Sequence, residues 1–248
     1  MTYTVAERSR LRDLLVEAAR SDVRVTGAAL TGSAAVGGED GWSDIDLTLG
    51  LAADADQDAV LADFTALMYA EHGAVHHTDV WSRRTVYRVF LLASTLQVDI
   101  AFAPAAEFGA LGPTFRLLFG EAVEQPAWGT PAPVDLIGMG WLYALHARSS
   151  IARGKVWQAE YMISGVRDHV LILACLRHGV PHSQGRGLHL LPAATTAAVE
   201  PTLVRSLDTA ELLRAFRASV DVLLAETSLV DADLAVRLGP PLRALTTA

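Results

Sequence analysis

Cysteine is almost absent: Cys175 is the only one in 248 residues. That excludes an internal disulfide and any cysteine-based zinc cluster. Lysine is almost absent too. Nineteen of the 20 basic residues are arginine, and the exception is Lys155. The bias reflects base composition and leaves two readings of Lys155. Either the position needs a compact ammonium rather than a broad guanidinium fork, or lysine survives there by chance at an exposed helix start. No apolar run approaches the roughly 20 residues of a membrane span. The first ten residues, MTYTVAERSR, lack the apolar core of a signal peptide, so we expect a cytoplasmic protein. Positive charge is short overall: 20 basic residues against 28 acidic ones give a net charge of −8. That excludes the basic surface needed to grip long nucleic acid. Between Arg24 and Arg83 there is no Lys or Arg at all, but there are ten Asp or Glu. Such a field suits a metal ion or a cationic ligand, although Asp54, Asp56 and Asp58 read as a solvated acidic surface.

What is abundant is apolar, at 51% of the chain, enough for a substantial core in one large domain or two small ones. Residues 5 to 20 carry apolar positions at helical spacing. VRVTGAALTGS reads as a strand ending in a turn, and DIDLTLGL alternates polar and apolar as a half-buried strand does. A helix is expected over 56 to 72. Strand-like runs follow in VHHTDVW, TVYRVFLLAS and LQVDIAF, the last two spaced for a hairpin turning near Ser94 and Thr95. The proline-rich stretch EQPAWGTPAP, 124 to 133, reads as a linker. Beyond it the periodicity is helical: residues 134–153, 155–179 and a segment opened by Asp208 and Thr209 as a cap, with a fourth helix over 231–238. The expected fold is α+β: a mixed-sheet domain at 1–125 followed by a helical bundle at 132–248.

Two features of the first domain call for a chemical reason. Asp44 and Asp46 lie two apart in an apolar strand pattern, so they share a face, and their mutual repulsion asks for a counter-ion. Asp99, between Val98 and Ile100, is a third acid in such a setting. If its strand neighbours the first, the three carboxylates converge, and carboxylates with Mg²⁺ and phosphate oxygens make the two-metal arrangement of phosphoryl chemistry. Upstream, Thr31-Gly32-Ser33 ends an apolar run. A glycine there lets backbone approach a phosphate closely, and a hydroxyl or free N–H can bind its oxygens. Gly37 and Gly38 give the intervening loop freedom.

A Gly-Ser turn, about ten residues, Asp-hydrophobic-Asp and a later strand Asp together resemble the signature of the DNA polymerase β-like nucleotidyltransferase superfamily. Thr31-Gly32-Ser33, Asp44-Ile45-Asp46-Leu47 and Asp99 stand in those places. Chain size, acidity and the helical second domain resemble the antibiotic-modifying branch, the kanamycin, lincosamide and streptomycin nucleotidyltransferases. The resemblance implies transfer of a nucleoside monophosphate, AMP by preference, from an NTP to a hydroxyl of a small molecule such as an aminoglycoside or lincosamide, with release of pyrophosphate. It implies two Mg²⁺ held by Asp44 and Asp46, β- and γ-phosphates held by Gly32 and Ser33, and Asp99 as a further metal ligand or the general base. Neither nucleic acid nor membrane is implied as a partner. A homodimer fits, since some relatives build their site across two chains. Two other functions compete: adenylylation of a protein, as in toxin–antitoxin pairs, and nucleotide binding without catalysis.

In the second domain, Trp157, Glu160, Ser164 and Arg167 fall on one side of a helix that follows Lys155, beside the apolar stripe Met162, Val166, Val170 and Leu173. Lys155 and Arg167 are candidates for phosphate, and Glu160 competes with Asp99 as base. The alternative is a Glu160–Arg167 pair on a solvated face. The eight histidines show no metal-ligand spacing, and Trp141, Trp157 and Tyr161 read as core.

Overall fold

Thr4 and Glu7 close a capping box at the start of the first helix, α1 (Val5–Ser21): each side chain accepts from the other's backbone N–H. The helix buries Leu15 and Ala19. A computed structural model describes residues 3–126 and 129–247 of the chain. It divides into two compact units, Met1–Gly129 and Thr130–Ala248.

In the first unit α1 is followed by β1 (Val25–Thr31), a single helical turn α2 (Gly32–Ala35), β2 (Ile45–Leu51) and α3 (Gln57–Glu71). Then come β3 (Ala74–Ser82), β4 (Thr85–Leu92), β5 (Gln97–Pro104) and β6 (Phe115–Phe119). Asp56, read as solvated surface, caps α3 by accepting from the N–H groups of Asp58 and Ala59. The strands form one six-stranded sheet in the order β3-β4-β5-β2-β1-β6. Only the central β2–β5 pair is parallel, so the sheet is mixed. The β4–β5 hairpin turns at Ser94 and Thr95, with Thr95 in the left-handed region at φ 65°. β6 escaped the sequence reading because FRLLF is short and does not alternate; it is a strand through its pairing with β1.

One sheet face is covered. Ile45, Leu47 and Leu49 of β2 and Val98, Ile100 and Phe102 of β5 pack with Leu15 of α1 and with Val60, Phe64 and Met68 of α3. The opposite face is partly plugged. The Phe108 ring lies over Gly27 and Gly50, where a Cβ would come within 2.6 and 2.7 Å of it, and joins Ala29, Ala103 and Phe115 in a small apolar cluster. The rest of that face carries the polar residues of the alternating strands.

The second unit is helical. α4 (Pro133–Ala152) starts on a proline at its first position, where no N–H is needed. α5 (Val156–His178) ends on Gly179 at φ 65°, a left-handed cap. α6 (Ala193–Val199), α7 (Thr209–Val230) and α8 (Ala232–Ala244) follow. Ala144, Ile163, Val166, Phe216, Val220 and Leu223 form the main core between α4, α5 and α7. α6 is short and was not foreseen, and α8 runs on through Pro240 and Pro241 rather than stopping at 238. Asp208 stands at the N-cap of α7 but makes no side-chain cap bond; its carboxylate accepts from the Ser206 hydroxyl instead, at 2.8 Å. Among the described residues, no helix is long and apolar enough to cross a membrane.

Candidate functional site

The site is assembled by strand alternation. With Ile45 and Leu47 in the core, Asp46 falls on the opposite face of β2. With Val98 and Ile100 in the core, Asp99 falls on the same face of β5. The parallel register sets Asp46 directly across from Asp99. Asp44 is not in the strand, which begins at Ile45; it stands one residue ahead of it, at the end of the preceding loop. The three carboxylates converge, each offering an oxygen such that all three oxygens lie within 4.8 Å of one another. All three are half-buried.

Gln97 joins the group, which nothing in the motif pattern announced. Its amide donates to both oxygens of Asp99, at 3.0 and 3.2 Å, and to Asp44 at 3.5 Å. The usable signal was position alone: Gln97 is two residues before Asp99 and so on its face of β5. Burial pushes the Asp99 carboxyl above its ordinary range; the Gln97 bond pulls it back, and the nearby Asp44 charge pushes it up again. An acid held up by desolvation and a like-charged neighbour is what a bound cation relieves.

Gly32 faces the acids. It opens α2 at φ 59°, which disfavours any side chain, and a Cβ there would run into the Asp46 carboxylate. Ser33 follows, half-exposed, its carbonyl accepting from the Gly38 N–H at 2.9 Å. The donor set fits a hard divalent cation: oxygen ligands only, close enough to share an ion. It is the one such group of three or more among the described residues. A cavity of about 90 Å³ in the same unit lies elsewhere, at the β3–β4 turn, where Thr85, Tyr87 and Glu107 line it and none of the three acids does.

The remaining candidates belong to the helical unit. Lys155 is the residue before α5. Glu160, Ser164 and Arg167 form a chain: Arg167 donates to the Ser164 hydroxyl at 2.8 Å, which donates to Glu160 at 2.7 Å. Trp157 and Tyr161, read as core, are instead exposed at 74% and 63%. Trp141 does pack against the core.

Among solved structures, the chain is similar to an aminoglycoside 6-adenyltransferase from Bacillus subtilis. The identity is 9%, 98% of each chain is covered, and the TM-score is 0.42. No family model and no curated protein matches the chain. The chemistry must therefore be read from the chain's own residues: three convergent carboxylates at one sheet face, a glycine that leaves room beside them, and an amide that orients two of them.

Proposed function

We propose that the protein is a Mg²⁺-dependent nucleotidyltransferase, moving a nucleoside monophosphate, AMP by preference, from an NTP to a hydroxyl of a small molecule such as an aminoglycoside or lincosamide. The observation that carries the reading is the meeting of Asp44, Asp46 and Asp99 from two separate stretches of chain. Like charges repel, so folding alone gives no reason to gather them. Bound there, divalent ions would neutralise the triphosphate and the developing charge at the α-phosphorus. Asp44 and Asp46 would hold two Mg²⁺, with Asp99 as a further ligand or as the base. Gly32, lacking a side chain, and Ser33, with its hydroxyl, would take the β- and γ-phosphates. The acceptor oxygen bonds to the α-phosphorus, the bond to pyrophosphate breaks, and the hydroxyl proton passes to a carboxylate. Asp99, across from Asp46 in the sheet register, is the candidate for that last task. From the helical unit the reading assigns Lys155 and Arg167 to phosphate and Glu160 as the competing base. The acidic stretch between Arg24 and Arg83 favours a polycationic acceptor.

The test is incubation with each α-labelled NTP, Mg²⁺ and a panel of aminoglycosides and lincosamides, with pyrophosphate and labelled product both measured. Transfer to an acceptor that disappears in Asp44→Asn is the expected result. No pyrophosphate with any pairing overturns the reading, and label appearing only on co-purified protein would redirect it to protein adenylylation.

A further inference from the structure

The loop between α2 and β2 carries Glu39 and Asp40 and ends on Asp44. No Lys or Arg occurs from residue 25 to residue 82, so this acidic loop has no cation of its own. Its cations come from α1. Arg8 is 1% exposed, rare for an arginine. Its Nη1 donates to the Asp40 carbonyl and, at 3.0 Å, to the Ser43 carbonyl, while Nη2 lies 3.4 Å from Glu39. Arg12 holds Glu39 by both carboxylate oxygens, at 2.9 and 2.8 Å. Inside the loop, the Asp40 carboxylate accepts from the Trp42 N–H at 2.8 Å and the Ser43 hydroxyl at 3.1 Å.

The Ser43 carbonyl is part of the peptide unit that joins Ser43 to Asp44. A guanidinium gripping that oxygen fixes the plane from which the Asp44 side chain departs. Stability is one part of what this arginine does, since its loss would take the donor from the Asp40 and Ser43 carbonyls. Its Nε, by contrast, is buried with no hydrogen-bond partner, so its contacts are concentrated at the two Nη atoms. Its loss would not orphan Glu39, which Arg12 still pairs.

We propose that Arg8 is a positioning residue for the acid site: through the Ser43–Asp44 peptide it sets where the Asp44 carboxylate stands relative to Asp46 and Asp99, and so sets the affinity for a divalent cation. The inference rests on the reading of those three acids as a cation site. A clamp that only held the fold together would lower the melting temperature and leave cation affinity alone.

The experiment measures Mn²⁺ binding by electron paramagnetic resonance of the free ion, with thermal unfolding alongside, on the full chain. The proteins are wild type, Arg8→Met, Arg8→Lys, Asp44→Asn and Leu15→Ala. Leu15 is a fully buried core residue of the same helix and serves as the control for simple destabilisation. Arg8→Met should weaken Mn²⁺ binding by about 10- to 100-fold, the scale seen when a group orienting a metal ligand is removed. Arg8→Lys, which keeps the charge but not the fork, should weaken it less. Leu15→Ala should melt lower and bind Mn²⁺ as wild type does. Wild-type affinity in Arg8→Met, with Asp44→Asn having lost binding, overturns the positioning role and leaves the cation site standing. If Arg8→Met does not fold, unchanged affinity in Arg8→Lys overturns it. If wild type binds no Mn²⁺, or Asp44→Asn binds it equally well, the cation-site reading itself fails and this inference fails with it.

Discussion

In the helical unit, Ser219 and Thr227 turn their hydroxyls back to the carbonyls of Ala215 and Leu223, four residues earlier. Glu160 and Arg167 meet through Ser164 within two turns of one helix. The longer-range pair, Arg177 with Glu226, joins opposite charges at 2.8 Å. In the sheet unit, Asp46 and Asp99 are 53 positions apart and of like sign, yet they stand across from each other in register. Local satisfaction of polar groups is what a fold needs to bury them. Gathering like charges from distant stretches costs stability, and in the proposed reading a bound cation offsets that cost.

The largest expected effect tests the sheet side of that contrast. Asp99→Asn should lower nucleotidyl transfer by about 10²- to 10³-fold, the scale of removing one preorganised electrostatic group. Its thermal stability should hold or rise, since burial and the Asp44 charge both disfavour the ionised form while Asn can still accept from Gln97. Paired activity and melting measurements check this; a variant that melts well below wild type would make the acid cluster structural.

Arg177→Met tests the helical side. It removes the partner of the nearly buried Glu226 carboxylate and should cost about 1–3 kcal/mol by chemical denaturation. Transfer measured on the folded protein should not change. A large loss of activity at unchanged stability would erase the distinction between the units.

Glu160→Gln is the sharpest comparison, because Glu160 and Asp99 compete for one role. Glu160 already accepts from the Ser164 hydroxyl, as a residue with a structural task would. Transfer should fall less than about tenfold, well short of the 10²- to 10⁴-fold that loss of a general base costs. A larger drop than in Asp99→Asn would move the base to α5.

How far such contrasts can be seen in sequence follows from which contacts are local. The strand alternation of DIDLTLGL and LQVDIAF is local, and it places Asp46 and Asp99 on the face opposite the core. Their neighbourhood is not local: the parallel β2–β5 pairing, on which convergence depends, is settled by all six strands together, and the sequence supports it only as a condition. Asp44 misses the strand because the β2–β5 ladder begins at Ile45 with Val98, although β5 itself starts one residue earlier, at Gln97. Arg8 reads as one more polar residue of an amphipathic helix, and only the loop folding onto it 32 positions later makes it a clamp. Trp157 and Tyr161 were misplaced because helical periodicity identifies a stripe but not which residues beside it stay outside, and here both point to solvent.

The smallest effect is a matter of pH and again divides the units by reach. In the sheet unit Asp79 is held below its ordinary range by hydrogen bonding to Arg88 across the β3–β4 ladder. In the helical unit Glu211 is held at about 2 by Arg214, one turn along α7, and by the Arg205 N–H. A carboxyl depressed in the folded state stabilises above its unfolded value, about 4.3 for Glu, and loses that contribution as pH falls towards the folded value. Glu211→Gln removes the titration but keeps an acceptor oxygen. Its denaturation midpoint should therefore lie below wild type between pH 5 and 7, and the gap should close as the pH is lowered from about 4 to about 2. A gap that stays constant down to pH 2 would mean that lost packing, not the charge, separates the two proteins. A local pair within one turn would then owe its stability to shape, and the helical unit's polar groups would need a different account from the one their geometry suggests.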